Sequence, residues 1–311
     1  MKLEDVRLPF PKTKINEGSF DIEKWRQENP MDYITSARLL TLSHDPTVIN
    51  EVFWTIYQVA QLHVPDTLYK YSSLTDDTGL NERKLDTLLQ KKMYLAKVKD
   101  LNDPFDCKAF YYDAVALTKY ERLKPYEGRI IDDFSAMQRV ASLTANGPQS
   151  MPMWAHYANN HTGFCVAYDM NEKENLAFKS CTFPVQYTDQ RIDITGLMDS
   201  FANLMVREIE TQQASGNKEI VIDDLSLIYI SQLLCNLKHD SWAYEKEYRC
   251  TEASQAAGIP FIEAKAKEIY VGISCGEENR NRLHLIGDSL GIPVHQMEFE
   301  EVSEKFQLLE K

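Results

Sequence analysis

From Leu68 onward the chain alternates short β-rich runs with helical stretches, and this rhythm constrains the fold more than any other feature. Leu68-Tyr69-Lys70-Tyr71 reads as a strand, Leu80 to Lys92 as an amphipathic helix, and Met93-Tyr94-Leu95-Ala96-Lys97-Val98 as a second strand. Further strands are predicted at Arg139–Thr144, Gly163–Asp169, Cys181–Tyr187, Glu247–Ala253, Glu268–Ser274 and Val294–Phe299, where β-branched and aromatic residues cluster between turn formers. Two long helices, Ile194–Gln213 and Asp223–Lys238, interrupt them and are separated by the turn at Ser215–Asn217. Ahead of this region, Val48, Ile49, Val52, Phe53, Ile56, Tyr57 and Ala60 recur at helical spacing after Asp45-Pro46. The pattern predicts an α+β protein with a mixed β core over residues 68–311, a helical prefix over residues 1–67 and a helical insertion.

Composition narrows the function. A formal charge of −13 opposes nonspecific binding to nucleic acid or anionic membrane. No apolar run approaches the ~20 residues of a membrane helix, and the amino terminus lacks the apolar core of a secretory signal, so a cytoplasmic protein is expected. The six cysteines are widely spread and show no metal or disulfide framework, and no metal is predicted. Cys165, inside Gly163-Phe164-Cys165-Val166-Ala167, reads as a small buried hydrophobe. The densest basic segment is Arg83, Lys84, Lys91, Lys92, Lys97 and Lys99; Glu82 and Asp86 interrupt it, which favours a solvated helix face.

Three constellations carry chemical potential. In Leu101-Asn102-Asp103-Pro104-Phe105-Asp106 the turn formers predict a shaped loop that can present Asn102 and Asp103 to a ligand, or simply turn the chain. In Met153-Trp154-Ala155-His156-Tyr157 helical spacing places Trp154 and Tyr157 on one face with His156 beside them, either as a stacking wall for a planar ring or as core. In Trp242-Ala243-Tyr244-Glu245-Lys246-Glu247-Tyr248-Arg249 a strand would place Glu245, Glu247 and Arg249 on one face, with Arg249 keeping a neighbouring carboxylate ionised. A cross-strand salt-bridge ladder on a solvated face is the alternative.

Together with Leu68–Leu74 and Ala141-Ser142-Leu143-Thr144, these motifs resemble a bacterial family catalogued as domain of unknown function 2971, from about Leu68 to Leu309. The block Lys238 through Arg249 and the Asn102–Asp106 loop are the most specific parts of that resemblance. A more distant similarity is to DarT-type ADP-ribosyltransferases, whose opening strand–helix–strand resembles Tyr69 onward and whose Glu-x-Glu strand resembles Glu245-x-Glu247. Lys70 departs from the histidine or arginine usual in their first strand. This similarity implies an ADP-ribosyltransferase-like fold, NAD as a substrate and a transferase or glycohydrolase acting as a toxin or phage-defence effector. The acceptor, protein or nucleic acid, stays open. It also implies Glu247 beside the ribose, Glu245 as general base toward the acceptor, and Tyr69, Lys70, Tyr71, Ser72, Asn102, Trp154 and Tyr157 around the nucleotide. The competing expectation is a non-catalytic ligand-sensing or protein-interaction module.

Overall fold

The computed structural model describes residues 20–39, 46–130, 138–217, 219–220, 231–253 and 260–311. In chain order, α1 (Ile22–Glu28), α2 (Tyr33–Leu39) and α3 (Pro46–Leu62) precede β1 (Thr67–Ser72), followed by α4 (Thr78–Leu89), β2 (Lys92–Tyr94), β3 (Ala96–Lys97) and β4 (Phe110–Tyr111). Next come β5 (Gln138–Thr144), α5 (Met151–Tyr157), β6 (Phe164–Asp169), α6 (Leu176–Ser180), β7 (Thr182–Pro184), β8 (Gln186–Thr188), β9 (Ile192–Asp193) and α7 (Thr195–Ala214). The chain closes with β10 (Leu237–His239), β11 (Glu247–Ala253), β12 (Phe261–Glu263), β13 (Glu268–Val271), α8 (Glu277–Leu290), β14 (Val294–Phe299) and β15 (Leu308–Glu310).

The fold is α+β. A nine-stranded sheet runs β15-β14-β13-β6-β1-β5-β11-β7, with β3 also pairing β5. Its ladders are antiparallel except β13–β14, a parallel pair joined by α8 as such a crossover requires. Strand alternation sorts the side chains of β1 between two layers: Leu68 joins the cluster under α4 and α8, whereas Tyr71 joins the one under α5. A third cluster gathers Tyr33, Val52, Phe53 and Ile56 from the amino-terminal helices against Leu197, Met198 and Phe201 of α7.

Most predicted elements are present, and four differ for identifiable reasons. The run Met93–Val98, expected as one strand, is two, β2 on β12 and β3 on β5, with Val98 opening a 3-10 turn. The helix expected to reach Lys92 stops at Leu89, because Lys91 adopts a left-handed φ of 56° and turns the chain into β2. The run Cys181–Tyr187 is two strands, β7 on β11 and β8 on β10. The helix predicted to end at Lys238 is overturned there: Lys238 lies in β10, opposite Tyr187, so pairing with β8 overrides local propensity. The Asp223–Ile230 part of that helix, and residues 1–19 and 40–45 of the prefix, lie outside the described residues. The sequence also left every cysteine unpaired, whereas Cys107 and Cys235, 128 residues apart, form a disulfide. Cys165, Cys181, Cys250 and Cys275 are free, and Cys165 is fully buried as expected.

Candidate functional site

The site lies where the sheet splits. β1 pairs with β6 along its whole length, yet meets β5 only at Tyr69↔Thr144. Beside that seam a cavity of about 90 Å³ opens, lined by Tyr69, Lys70 and Tyr71 of β1, Ser142 and Thr144 of β5, Met153 and Tyr157 of α5, and Asn102, Asp106, Lys238, Glu245 and Glu247. Lys70 springs from the opposite face of β1, but its ammonium reaches into the seam and donates to the Ser142 carbonyl at 3.3 Å. Burial pushes the Lys70 ammonium down to about 8.

Under the cavity floor lies a buried ion network. Arg249 has no exposed surface; its Nε and Nη2 donate to the Glu247 carboxylate at 2.9 and 3.2 Å, Nη2 also to Asp106, and Nη1 to the Cys235 carbonyl. Lys238 Nζ bridges the two glutamates, 2.6 Å from Glu245 and 3.0 Å from Glu247, and sits 4.9 Å over the Trp242 ring. Both glutamates and the lysine are only 3 % exposed. Lys70 is a third cation beside these three carboxylates, outside ion-pair distance of them but near enough for Glu247 to favour its charge, so the charges balance across the site. That balance is what permits burial, since an uncompensated ion in such a place would cost several kcal/mol.

The two glutamates are driven apart. Burial raises the Glu247 carboxyl, but Arg249 and Lys238 outweigh it and hold the group at about 2. For Glu245 burial wins over Lys238 and Tyr157, and the carboxyl rises above its ordinary value. Burial also raises Asp106 despite Arg249. Tyr157 donates its hydroxyl to Glu245 and receives the Asn102 amide at 3.4 Å, so a chain of polar contacts runs from Glu245 to exposed Asn102. Burial, then Glu245, pushes the Tyr157 phenol upward. Glu247 is thus a fixed anion with both oxygens taken by donors, whereas the Glu245 carboxyl, raised by burial, accepts from Lys238 and Tyr157.

The predicted residues separate into those that converge and those that do not. Glu247, Glu245, Tyr69, Lys70, Tyr71, Asn102 and Tyr157 line one cavity, and Arg249 supports it from below. The shared strand face was an error of local structure. Glu245 ends a 3-10 turn, Asp240–Glu245, and Lys246 at φ 45° reverses the chain before β11, so Glu245 reaches Glu247 through a bend. The alternative of a solvated salt-bridge ladder is also overturned, because these charges lie in a buried network.

Trp154 does not form a stacking wall. It has no exposed surface, packs edge-on against Tyr71, and its indole N–H donates to the Pro148 carbonyl at 2.6 Å. Ser72 lies across the sheet, in a second cavity. Asp103 is buried and caps its own turn by accepting from the Phe105 amide. His156 stays outside the cavity, with its ring near Tyr157 and Tyr244.

Sequence reasoning missed Lys238, taken for a helix end, and Asp106, taken for a turn former. It also missed Tyr187, whose hydroxyl accepts the Glu247 amide at 2.8 Å. The clustering of Lys238 with Trp242–Arg249 in the block shared with the family was the available signal. The sequence pattern of the family described as "Protein of unknown function (DUF2971)" matches residues 153–250, a span that holds most of α5, all of β6, Lys238, both glutamates and Arg249. Among the described residues no helix is long and apolar enough to cross a membrane. No curated protein and no solved structure matches the chain, so the likeness to DarT-type enzymes rests on the residues quoted for it alone.

Proposed function

We propose that this chain is a nucleotide-handling transferase or glycohydrolase that cleaves a glycosidic bond of the kind joining nicotinamide to ribose in NAD, on an ADP-ribosyltransferase-like α+β scaffold. The observation carrying this reading is the pair of glutamates bridged by one lysine with carboxyl groups displaced in opposite directions. Such divergence separates a permanent anion from a proton carrier.

Cleaving a ribosyl bond builds positive charge on the sugar, as in glycoside hydrolysis. Glu247 is ionised at every physiological pH and its orientation is fixed by Arg249 and Lys238, so it offers preorganised negative charge. Nicotinamide departs neutral and needs no acid. Glu245, its carboxyl raised by burial, accepts the proton of the incoming nucleophile and gives it up to water when the product leaves, while Tyr157, itself held by the Asn102 amide, donates to Glu245 and fixes its orientation. Lys70 supplies a point charge for a phosphate. A cavity of about 90 Å³ is smaller than the 300–1,000 Å³ usual for ligand pockets, so only the reacting sugar enters and the remainder of the nucleotide rests on the rim.

A second reading, a ligand-sensing module without turnover, is favoured by one observation: Arg249 and Glu247 are already saturated by each other and their neighbours, as a purely architectural network would be. Nicotinamide release from NAD, with and without cell lysate, separates the two. Release by the wild type and its loss in Glu247→Gln at matched folded fraction supports the enzyme. A ligand-dependent rise in melting temperature without release supports the sensor.

A further inference from the structure

The second cavity, about 500 Å³, lies on the other side of the sheet and takes no part in the proposed chemistry. Its floor is one face of β6, Phe164, Val166 and Tyr168, beside Lys70 and Ser72 of β1; α4 forms one wall and β2 with β12 the other. At its edge Tyr94 and Phe261, 47 % and 37 % exposed, stand edge to face at 5.6 Å. Aromatic rings left in water beside an apolar hollow mark a place where an apolar body is covered.

The polar part of the lining is basic. Arg83, Lys84 and Lys92 line the cavity with Lys70, and among the described residues none of the four has a carboxylate within ion-pair distance. Among the described residues Lys84 donates to the Ser73 carbonyl and hydroxyl and to no other group, and Lys70 to the Ser142 carbonyl and no other. In a chain of net charge −13 this is an uncommon concentration of unpaired cations. Burial lowers the ammonium groups of both Lys70 and Lys84, outweighing the more distant carboxylates of Glu247 and Asp77. The basic segment that reads from sequence as a solvated helix face therefore places three of its members around an apolar hollow.

We infer that this cavity binds a small amphipathic anion, an apolar chain or ring carrying one carboxylate or phosphate, with its body over Phe164, Val166 and Tyr168 and its head among Arg83, Lys84 and Lys92. This inference stands apart from the proposed ribosyl chemistry. The two sites nonetheless share Lys70, which lines both cavities, so an anion on one side of the sheet is felt on the other.

Isothermal titration of the full chain with decanoate, decyl phosphate, decyltrimethylammonium and inorganic phosphate, each below micelle formation, tests it. One-to-one binding of decanoate or decyl phosphate, with inorganic phosphate and the cationic chain at least tenfold weaker, is the expected result; which anion wins tells the head group. Arg83→Glu with Lys92→Glu, both outside the buried core, weakens the anion at least tenfold at unchanged circular dichroism, and Phe261→Ala weakens both anions. Equal binding of the cationic chain, binding of phosphate alone at the same affinity, affinity within twofold after the double reversal, or no anion binding at millimolar concentration would each overturn the inference.

Discussion

Replacing Glu247 by glutamine is the sharpest probe of the ion network, because the structure gives the consequence a sign and a size. The native carboxyl sits at about 2 against an ordinary 4.5. A depressed carboxylate stabilises the fold above its unfolded value and loses that contribution as pH falls through its folded value. At 1.36 kcal/mol per unit, Glu247 contributes about 3 kcal/mol above pH 5, falling to roughly 1 kcal/mol by pH 3. Glutamine keeps the shape and cannot titrate. Urea unfolding of wild type and Glu247→Gln at pH 6, 5, 4 and 3 should therefore show the variant weaker by about 3 kcal/mol at pH 6, with the two curves converging on acidification. A difference that stays constant from pH 6 to pH 3, or widens, would refute the claim that Arg249 and Lys238 hold a buried anion.

Four further outcomes follow from the same geometry. Lys238→Met leaves two buried carboxylates without their shared cation and should cost about 3–5 kcal/mol at neutral pH; the loss shrinks as pH falls and Glu245 takes up a proton, read by chemical denaturation. Lys70, held at about 8 by burial, binds a proton more weakly folded than unfolded, so stability rises with pH between about 8 and 10.5; that rise is absent in Lys70→Met, followed by melting temperature. Tyr157→Phe removes a hydrogen bond that favours ionised Glu245, so difference infrared titration should find the Glu245 carboxyl higher still, with Glu247 unmoved. Trp154→Phe orphans the buried Pro148 carbonyl and should cost about 1–3 kcal/mol, measured by urea unfolding, without weakening any ligand held at the cavity.

The sheet was legible where pattern and burial agree. β5, β6, β11 and β14 carry aromatic or β-branched residues between turn formers, and each falls within a residue or so of its predicted span. α7 is equally plain, shifted by one residue from its expected bounds. β10 was not legible, because its strand character comes from lying beside β8 rather than from Leu237-Lys238-His239 itself. The same cause hid Lys238. A lysine earns a place between two glutamates only once β10, the 3-10 turn and β11 converge, and no local spacing encodes that meeting. Trp154 failed differently: aromatics on one helix face fit a binding wall and a core equally, and only the Pro148 carbonyl, six residues earlier, decides for the core. Cys107 and Cys235 offered no spacing signal across a separation of 128 residues.

The narrow join between β1 and β5 has a consequence for cooperativity. On one side of it β1, β6, β13, β14 and β15 form a continuous ladder, and on the other β5, β11 and β7 do the same with β3 attached. Across it run the register pair Tyr69↔Thr144 and the reach of Lys70 to Ser142, contacts that open at far less cost than a full ladder. Native-state hydrogen exchange should accordingly sort the slow amides into two groups with separate opening free energies, divided at this line. A ligand seated over the split would tie the two groups together, and the merging of their exchange rates would report occupancy without any need to observe a reaction.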